Sequence, residues 1–226
     1  MKNIVVLTGA GVSAESGINT FRDADGLWEG HDVMQVASPQ GWAADPELVL
    51  DFYNQRRRQL FEVEPNSAHK ILVRLEEKYN VHIITQNVDD LHERAGSTQV
   101  LHLHGELRKV RSQKDPNYIL DWEKDLYSSD TCPSSFPLRP HIVWFGEEVP
   151  LIPKAAELCA TADIVIIIGT SMQVYPAAGL VDYTPDYCRI YYIDPKPATN
   201  VSPRVKVIAQ KATVGTVALV EELLHS

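Results

Sequence analysis

The sequence predicts an α/β fold in which a mostly parallel sheet is covered by helices on both faces. Short runs rich in Val and Ile alternate along the chain with helical patterns, which is the element order of such folds. The run at 164–168 is apolar at every position, as a central strand buried on both faces requires. A glycine-containing turn at 9–14 follows the first run, and open parallel sheets bind ligands at the edge where such turns lie. We therefore expect a binding site at the carboxyl ends of the strands.

The elements follow from residue patterns along the chain. We expect strands at 3–7, 81–85, 163–168, 189–193 and 205–208. We expect helices at 46–61, 67–79, 88–95, 153–160 and 213–224. Asn66 is a suitable N-cap for the second helix, and Gly96 stands where a helix end favours positive φ.

Two segments depart from this alternation. Residues 17–41 are polar, contain glycine and show no clear period, and residues 106–140 are interrupted by four prolines. Long irregular segments inside a compact domain are typical of functional loops or inserts. We expect one domain, 1–226, in which 17–41 form a cofactor loop and 106–140 form a small inserted lobe.

Composition narrows the class of protein. Apolar residues make up 44% of the 226 residues and charged residues 23%, which is ordinary for a globular protein. The net charge is −9 and no basic run exceeds 56–58, so nucleic acid is not an expected partner. No stretch approaches the ~20 apolar residues needed to span a bilayer, so a membrane is not expected either. The three cysteines form no close pair, which indicates a reducing compartment, and the first residues lead directly into a strand rather than into a secretory signal. We expect a cytoplasmic monomer.

The turn at 9–14 has the pattern G-x-G-x-x-A between a strand and a helical pattern, which is typical of dinucleotide binding. Gly9 permits the tight turn, Gly11 lets the backbone approach a pyrophosphate, and the helix N-terminus favours an anion. The alternative is a tight turn without a ligand. A dehydrogenase would continue into a strand that ends in an acidic residue, whereas residues 17–23 here contain no strand. The dinucleotide would therefore be handled differently from that of a hydride-transfer enzyme.

The chain resembles the sirtuin family in five motifs that follow the family's order. They are GAGVSAESGINTFRDADGLW at 9–28, TQNVDDLHERAG at 85–96, LHGEL at 103–107, RPHIVWFGE at 139–147 and GTSMQVYPAAG at 169–179. The resemblance implies a Rossmann-like domain that removes acyl groups from protein lysine side chains. It also implies that NAD is consumed and that nicotinamide and 2′-O-acyl-ADP-ribose are released.

The resemblance assigns a set of residues to NAD binding. They are Gly9, Ala10, Gly11, Ser13, Phe21, Arg22, Gln86, Asn87, Asp89, Gly169, Thr170, Ser171, Asp194 and Ala212. Asn87 and Asp89 would hold the nicotinamide amide, and Gln86 would hold the ribose. Departure of nicotinamide builds positive charge on the ribose, which a nearby carboxylate stabilises. Asp89 also lies in the first turn of an expected helix, where its charge can stabilise the helix N-terminus. This structural role is compatible with binding of the nicotinamide amide.

Two histidines alternate in the run LHLHG at 101–105 and so share one face of the chain. By resemblance His104 is the catalytic base, which takes a proton from a ribose hydroxyl; an imidazole is suited to this near neutral pH. Without the resemblance, a structural histidine or a metal site would be the simpler interpretation. For His102 that simpler interpretation stands.

Tyr53 and Arg56 are three residues apart in a helical pattern and therefore share a face. Their spacing resembles the sirtuin subgroup that prefers succinyl- or malonyl-lysine, and Ala37 resembles the small residue that widens the acyl pocket there. Arg pairs with carboxylates through a planar fork, and Tyr adds a hydroxyl donor. The alternative is a solvated face at 56–58 with Tyr53 half buried.

By the same resemblance two segments would flank the substrate peptide as an added strand. The segments are 145–147 and 174–176, and the residues expected to bind the peptide are Val143, Phe145, Gly146, Val174 and Tyr175. Most sirtuins also carry two cysteine pairs that bind a structural zinc, but this stretch of the chain holds only Cys132, with Ser112 about where the first pair would begin. Because one thiolate cannot complete a tetrahedral zinc site, we expect no zinc. The lobe would then be held by packing of Tyr118, Ile119, Leu120, Trp122 and Tyr127.

The leading hypothesis is thus an NAD-dependent deacylase that acts on acylated lysines of proteins, with acidic acyl groups preferred and acetyl also accepted. A second enzymatic hypothesis is mono-ADP-ribosyl transfer or NAD hydrolysis, because the same bond is activated. A third is a non-catalytic module that binds NAD or ADP-ribose, although binding alone requires neither a base nor a carboxylate at the ribose.

Overall fold

The computed structural model describes residues 1–19, 27–28, 30–198 and 201–225. Its main sheet has six strands, which are β1 (Asn3–Thr8), β4 (Asn80–Thr85), β5 (Val100–His102), β9 (Ile164–Ile168), β10 (Arg189–Ile193) and β11 (Val205–Ile208). All neighbouring pairs are parallel and the spatial order is β11-β10-β9-β1-β4-β5. The predicted α/β fold with a parallel sheet is confirmed, with β5 as a strand that the sequence pattern missed.

Helices cover both faces of this sheet. One face packs against α4 (Ser67–Arg74) and α7 (Ala212–His225), and the other packs against α6 (Ile152–Ala160) and a 3₁₀ segment at Ala177–Tyr183. Successive strand residues point to opposite faces, so alternate residues of β1 enter the two cores. This two-sided burial explains why the central strand β9 is apolar throughout.

The remaining α-helices pack around a third apolar core. They are α1 (Val33–Val36), α2 (Pro39–Ala44), α3 (Pro46–Leu60) and α5 (Leu91–Ala95). Asp32 and Ser38 cap α1 and α2 by accepting hydrogen bonds from Met34 N and Gly41 N. The expected irregular loop at 17–41 therefore ends in two short capped helices, which were too short to produce a detectable period.

The prediction that the glycine turn opens a helix is wrong. The chain instead forms two 3₁₀ turns, Ala10–Val12 and Ala14–Ser16, separated by Ser13. The predicted helix at 67–79 also ends early, at Arg74, and continues as a 3₁₀ turn at Leu75–Glu77. Asn66 caps this helix as expected, through its side chain to Ala68 N, and Gly96 has φ 110° after α5.

The inserted lobe contains an antiparallel sheet of β6 (Gly105–Ser112), β7 (Ile119–Asp121) and β8 (Leu138–Ile142), with β6 in the centre. Elsewhere in the chain, two strands of two residues each, β2 (Leu27–Trp28) and β3 (His31–Asp32), pair in antiparallel orientation. The buried lobe core consists of Leu50, Val110, Leu126, Cys132 and Leu138, against which Trp42, Tyr118, Leu120, Trp122 and Phe136 pack. Ile119 and Tyr127 were expected to hold the lobe together, but they are 41% and 57% exposed.

Helix α3 fastens the lobe through two buried polar side chains. Asn54 donates to Leu126 O and accepts from Leu126 N, at 2.9 and 2.8 Å. Arg57 donates to Leu107 O at 2.8 Å and to Lys124 O at 3.3 Å, and burial lowers its pKa to about 10, which leaves it protonated at neutral pH. The lobe is thus bound to the main domain by side chain-to-backbone hydrogen bonds as well as by apolar contacts.

Within the described part of the chain, no helix combines the length and the apolar character needed to cross a bilayer. The same residues contain no cluster of three or more His, Cys, Asp or Glu side chains arranged to hold a metal ion.

Candidate active site

The site lies at the carboxyl edge of the main sheet. Gly9, Gln86, Gly169 and Asp194 directly follow the strands β1, β4, β9 and β10. Gln86 Nε2 donates to Thr170 Oγ1 at 3.2 Å, which joins the loops after β4 and β9. The structure therefore brings together predicted binding residues that are widely separated in the sequence.

The two motif glycines allow the loops after β1 and β9 to touch. A Cβ on Gly9 would lie 2.9 Å from Gly169 O, and a Cβ on Gly11 would lie 2.6 Å from Gly169 Cα. Gly11 N also donates to Gly169 O at 2.8 Å. Gly11, which is expected to let the backbone approach a pyrophosphate, is also required for the packing of one loop against the other.

Ser13 is the centre of a buried hydrogen-bond network. Its hydroxyl donates to Asp89 Oδ2 at 3.0 Å and accepts from Asn87 Nδ2 at 3.2 Å. His69 Nε2 lies 3.4 Å from the same oxygen, while His69 Nδ1 accepts from Asn66 N at 3.3 Å. Because that backbone N–H can only donate, Nε2 carries the proton of the neutral ring and Ser13 accepts it. Every hydrogen-bonding position of the Ser13 hydroxyl is therefore used.

The network fixes a carboxyl group with an unusual pKa. Burial raises the pKa of Asp89 to about 6, against the opposing effects of hydrogen bonds from Leu91 N and Ser13 and of the charge on His102. Burial lowers the pKa of His69 to about 4, so its ring is neutral near pH 7. An ionised Asp89 at neutral pH thus lies among uncharged polar partners, where a carboxylate interacts strongly with developing positive charge.

His104 is oriented by the backbone of the Gln86 loop. Its Nδ1 lies 3.0 Å from Gln86 O, and since a carbonyl only accepts, Nδ1 carries the proton. Burial lowers the pKa of His104, opposed by the bond to Gln86. The ring is therefore neutral at pH 7 with the lone pair on Nε2, which is the state a general base requires. Gly105, at φ 83°, follows directly, and a Cβ there would lie 2.0 Å from His141 O.

Two further buried histidines were missed by sequence reasoning. His69 completes the Ser13 network, and His92 Nε2 lies 3.1 Å from Thr8 Oγ1 at the end of β1. The two rings meet edge to face with centroids 4.8 Å apart. Each lies on a helical pattern, where a histidine on the apolar face is the only available signal.

Two of the predicted acyl-pocket residues, Tyr53 and Ala37, lie in a third apolar core beside α3, and Arg56 lies over the ring of Phe52 in the same core. Tyr53 is fully buried, Arg56 is 9% exposed and Ala37 is 3% exposed. Tyr53 Oη accepts from Trp144 Nε1 at 3.0 Å, and Arg56 Nη2 donates to Gln59 Oε1 at 2.7 Å. The alternative of a solvated basic face is wrong for residues 56 and 57, and within 56–58 only Arg58 is largely exposed.

The two expected peptide-binding segments differ in exposure. Phe145 and Tyr175 are exposed, Tyr175 by 73%, and Val174 is 37% exposed. Phe145 N donates to Ala37 O and Val143 N donates to His104 O, both at 2.9 Å. The segment at 143–146 is therefore tied by its backbone to the acyl-pocket region and to the histidine at the site.

The remaining predicted binding residues occupy different parts of this edge. Ser171 is partly buried beside Thr170, Asp194 is buried and accepts from Lys196 N at 2.8 Å, and Ala212 is buried at the start of α7. Phe21 and Arg22 lie outside the described residues.

The chain is similar in sequence to proteins of one known family. A model of the Sir2 family matches residues 9–176, which is most of the chain. The chain belongs to the Sir2 family. It is 60% identical over 226 residues to a Helicobacter pylori protein named NAD-dependent protein deacylase, covering 100% of this chain and 99% of that protein. A Bacteroides thetaiotaomicron protein of the same name is 54% identical over 230 residues, covering 99% and 97% of the two chains.

Solved structures of the Sir2 family show the same likeness. A Sir2 homologue–NAD complex is 40% identical, with a TM-score of 0.88 over 99% of this chain and 90% of that chain. A mutant Sir2 homologue in complex with ADP-ribose is also 40% identical, with a TM-score of 0.90 over 99% and 92% of the two chains. The fold of this Sir2 family member is therefore shared along almost its full length.

The lobe of this Sir2 protein brings Ser112 and Cys132 into contact. Cys132 Sγ lies 3.7 Å from Ser112 Oγ, with the thiol donating, and both side chains are buried. Backbone hydrogen bonds from Gln113 N to Pro137 O and from Cys132 N to Phe136 O close the two loops around them. The one cysteine of this stretch thus contacts Ser112, which by the sequence resemblance stands about where the first cysteine pair of a zinc site would begin.

Proposed function

We propose that this Sir2 family member is an NAD-dependent protein deacylase that removes succinyl and malonyl groups, and also acetyl groups, from lysine side chains. The burial of Arg56 and Tyr53 beside Ala37 carries the acyl preference. Family membership and likeness to named deacylases over the full chain support the reaction class.

The donor set at the sheet edge fits NAD. A carboxyl and an amide, Asp89 and Asn87, share the Ser13 hydroxyl and together offer the acceptor and donor that a carboxamide requires. Gln86 and Thr170 lie beside them with groups suited to ribose hydroxyls. When bound, NAD supplies the ADP-ribosyl group that accepts the acyl group as nicotinamide leaves.

The chain's own residues supply a charge and a base. Asp89, ionised at neutral pH, stabilises positive charge that develops near it. His104 takes a proton at Nε2, while its Nδ1 remains bonded to Gln86 O. The fixed orientation of both groups avoids reorganisation during the reaction.

The acyl preference follows from the cost of burying a carboxylate. Such a group does not enter an apolar pocket unless charge-assisted hydrogen bonds replace its lost water. Arg56 provides a cation at the required depth, against the ring of Phe52 at 5.6 Å. Tyr53 accepts from Trp144 through its oxygen lone pair, so its own O–H is not used in that bond. The side chain of Ala37 leaves more room than any larger residue would.

The test compares matched succinyl- and acetyl-lysine peptides. Arg56→Met should lower kcat/KM for the succinyl peptide about 30- to 5000-fold, since losing a buried charged contact costs about 2–5 kcal/mol. Deacetylation should change only a few-fold, because acetyl has no carboxylate. Tyr53→Phe should act in the same direction more weakly. The matched control is Arg58→Met, which removes the exposed cation of the same run.

Parallel loss of both activities in Arg56→Met would show that the residue serves the fold or NAD binding, and the acidic-acyl proposal would be dropped. Wild-type protein that releases nicotinamide without deacylating either peptide would instead favour ADP-ribosyl transfer or NAD hydrolysis. Binding of NAD with no turnover would favour a non-catalytic module.

We also propose that the substrate peptide lies between 145–147 and 174–176 as an added strand. The exposure of Phe145, Val174 and Tyr175 supports this placement. Main-chain hydrogen bonds dominate such binding, so a peptide library should reveal weak sequence preference around the acylated lysine. A strict requirement at several positions would contradict it.

A further inference from the structure

His102 bridges two elements of the site by both ring nitrogens. It ends β5 with a side chain that is only 7% exposed. Its Nδ1 lies 3.0 Å from Asn87 O, and its Nε2 lies 2.7 Å from Glu93 Oε1 on α5. The ring therefore connects the end of one strand, the loop after the neighbouring strand and the helix that follows.

The partners determine the protonation state of this ring. A backbone carbonyl can only accept, so Nδ1 must donate to Asn87 O. The Glu93 carboxylate accepts as well, and its pKa is lowered because the hydrogen bond and charge of His102 outweigh the opposing effect of burial. A neutral imidazole has one N–H and cannot donate at both positions. His102 is therefore an imidazolium with two donors.

Hydrogen bonds hold Asn87 at its backbone N–H, its backbone carbonyl and its side-chain NH2 group. Its N–H donates to Thr85 Oγ1 at 3.0 Å, its side chain donates to Ser13 at 3.2 Å, and its carbonyl accepts from His102. The bond from His102 is the one made by a charged donor, and such bonds are stronger than neutral ones. Rotation of this peptide would move the Asn87 and Asp89 side chains together.

We propose that His102 is a positioning residue, an imidazolium that is held by Glu93 and that fixes the Asn87 carbonyl and thereby the nicotinamide-binding pair Asn87 and Asp89. The inference rests on the proposed function for the role of that pair. The protonation of His102 can be tested without it.

The charges around His102 support this state. Burial by itself lowers its pKa, but the hydrogen bond and charge of Glu93 from α5, together with the charge of Glu106 from β6, raise it above the ordinary value. Lys109 on β6 pairs with Glu106 at 2.9 Å. On the loop side, the imidazolium lowers the pKa of Asp89, whereas the neighbouring Asp90 raises it. Loss of the cation should therefore raise the pKa of Asp89.

The first measurement is nitrogen-detected NMR of the histidine rings in the full chain. At pH 7 both ring nitrogens of His102 should carry protons, whereas His104, whose pKa is lowered by burial, should be neutral with the proton on Nδ1. In Glu93→Gln the ring of His102 should become neutral, because Nε2 can then accept from the amide while Nδ1 still donates to Asn87. A neutral His102 in the wild-type protein would overturn the proposal.

The second measurement uses variants that separate charge from hydrogen bonding. Glu93→Gln keeps both bonds without the ion pair, so the acidic limb of the kcat/KM profile should move to higher pH as the pKa of Asp89 rises. His102→Asn places an amide donor near the position of Nδ1, and His102→Leu has no donor. His102→Leu should weaken nicotinamide inhibition and lower kcat about 10- to 100-fold, as misplacement of site residues does, with His102→Asn closer to wild type.

ADP-ribose affinity distinguishes positioning from general damage. ADP-ribose lacks nicotinamide, so its Kd should stay within a few-fold of wild type in all three variants. Parallel loss of ADP-ribose and nicotinamide binding would show a structural role only and would contradict the proposal. Glu157→Gln, on the exposed face of α6, is the matched control and should change none of these readouts. If wild-type protein neither consumes NAD nor binds nicotinamide, the proposed function fails even where the NMR result stands.

Discussion

At the scale of single residues, burial decides which charges the site carries. Burial lowers the pKa of His69 and of His104, so both rings are neutral near pH 7. His102 is also buried, yet it keeps its proton because a carboxylate stands against it. Asp89 remains ionised at neutral pH with a pKa of about 6. His69 is thus a neutral donor, His104 a neutral base, His102 a cation paired with Glu93, and Asp89 a carboxylate.

The residue-scale prediction concerns the base. His104→Ala should lower deacylation about 10²- to 10⁴-fold, the range for loss of a positioned acid–base group. NAD binding should survive, because the loops at Gly9–Gly11 and Gly169 do not depend on this ring. The measurement is kcat with saturating NAD and acyl peptide, beside a direct NAD titration. A variant that keeps more than about a tenth of wild-type turnover, with chemistry rate-limiting, would contradict the assignment.

At the scale of elements, α3 binds the inserted lobe through side chains whose role its periodicity did not reveal. The pattern at 46–61 placed the helix within one residue of its observed end, because apolar spacing and Pro46 at its start are local signals. The pattern could not show that Asn54 and Arg57 reach a lobe whose contacts lie 50 or more residues later. Likewise β5 was missed, because three residues are too few for a period.

The docking role of α3 predicts a stability change. Asn54→Ala leaves the buried N–H and C=O of Leu126 without their partner, which costs about 1–3 kcal/mol for each group. The free energy of unfolding, measured by urea denaturation, should fall accordingly, and the lobe should become more sensitive to protease. Gln55→Ala, in which an exposed bond to Asp51 is removed from the same helix, should change the free energy little. Equal effects of the two substitutions would show that the Asn54 bonds do not hold the lobe.

The lobe also carries a prediction about metal. Its contacts include the apolar core around Val110 and Leu138 and the Arg139–Glu147 ion pair at 2.7 Å. We expect well under one zinc per chain in protein prepared without chelators, since Ser112 and Cys132 provide a single thiolate. EDTA should leave the Tm unchanged. Elemental analysis that finds stoichiometric zinc, or a large fall of the Tm in EDTA, would contradict this expectation.

At the scale of the whole molecule, the sequence predicted what local pattern controls and missed what distant contacts control. Apolar runs were sufficient to predict the parallel sheet, because a short run that is apolar at every position is typical of a strand buried on both faces. The motif glycines were found, but their main contact, with Gly169 on another loop, becomes visible only in three dimensions. For the same reason His102 was left as a structural residue, because neither of its partners is adjacent in the chain.

Histidines that lose contact with water on folding make stability depend on pH across the whole chain. His141 on β8, which is half-buried, is an example away from the proposed reacting groups, with desolvation and the charge of Arg111 lowering its pKa to about 4. Among the described contacts its Nδ1 is buried without a partner. The folded state therefore excludes a proton that the unfolded chain binds below its ordinary pKa of 6.5. The stability that this histidine contributes is complete above pH 6.5 and is lost as the pH falls toward about 4.

His141→Gln should remove this part of the pH dependence. Between pH 6.5 and about 4 the free energy of unfolding of the wild type should fall more steeply than that of the variant, by up to one proton, or about 1.4 kcal/mol per pH unit. Urea denaturation at several pH values measures both slopes. His225→Gln changes an exposed histidine at the end of α7 and should leave the wild-type slope intact. If the slope of His141→Gln equals that of the wild type over this window, the half-buried ring accepts a proton without loss of structure, and the acid sensitivity must come from the histidines nearer the site.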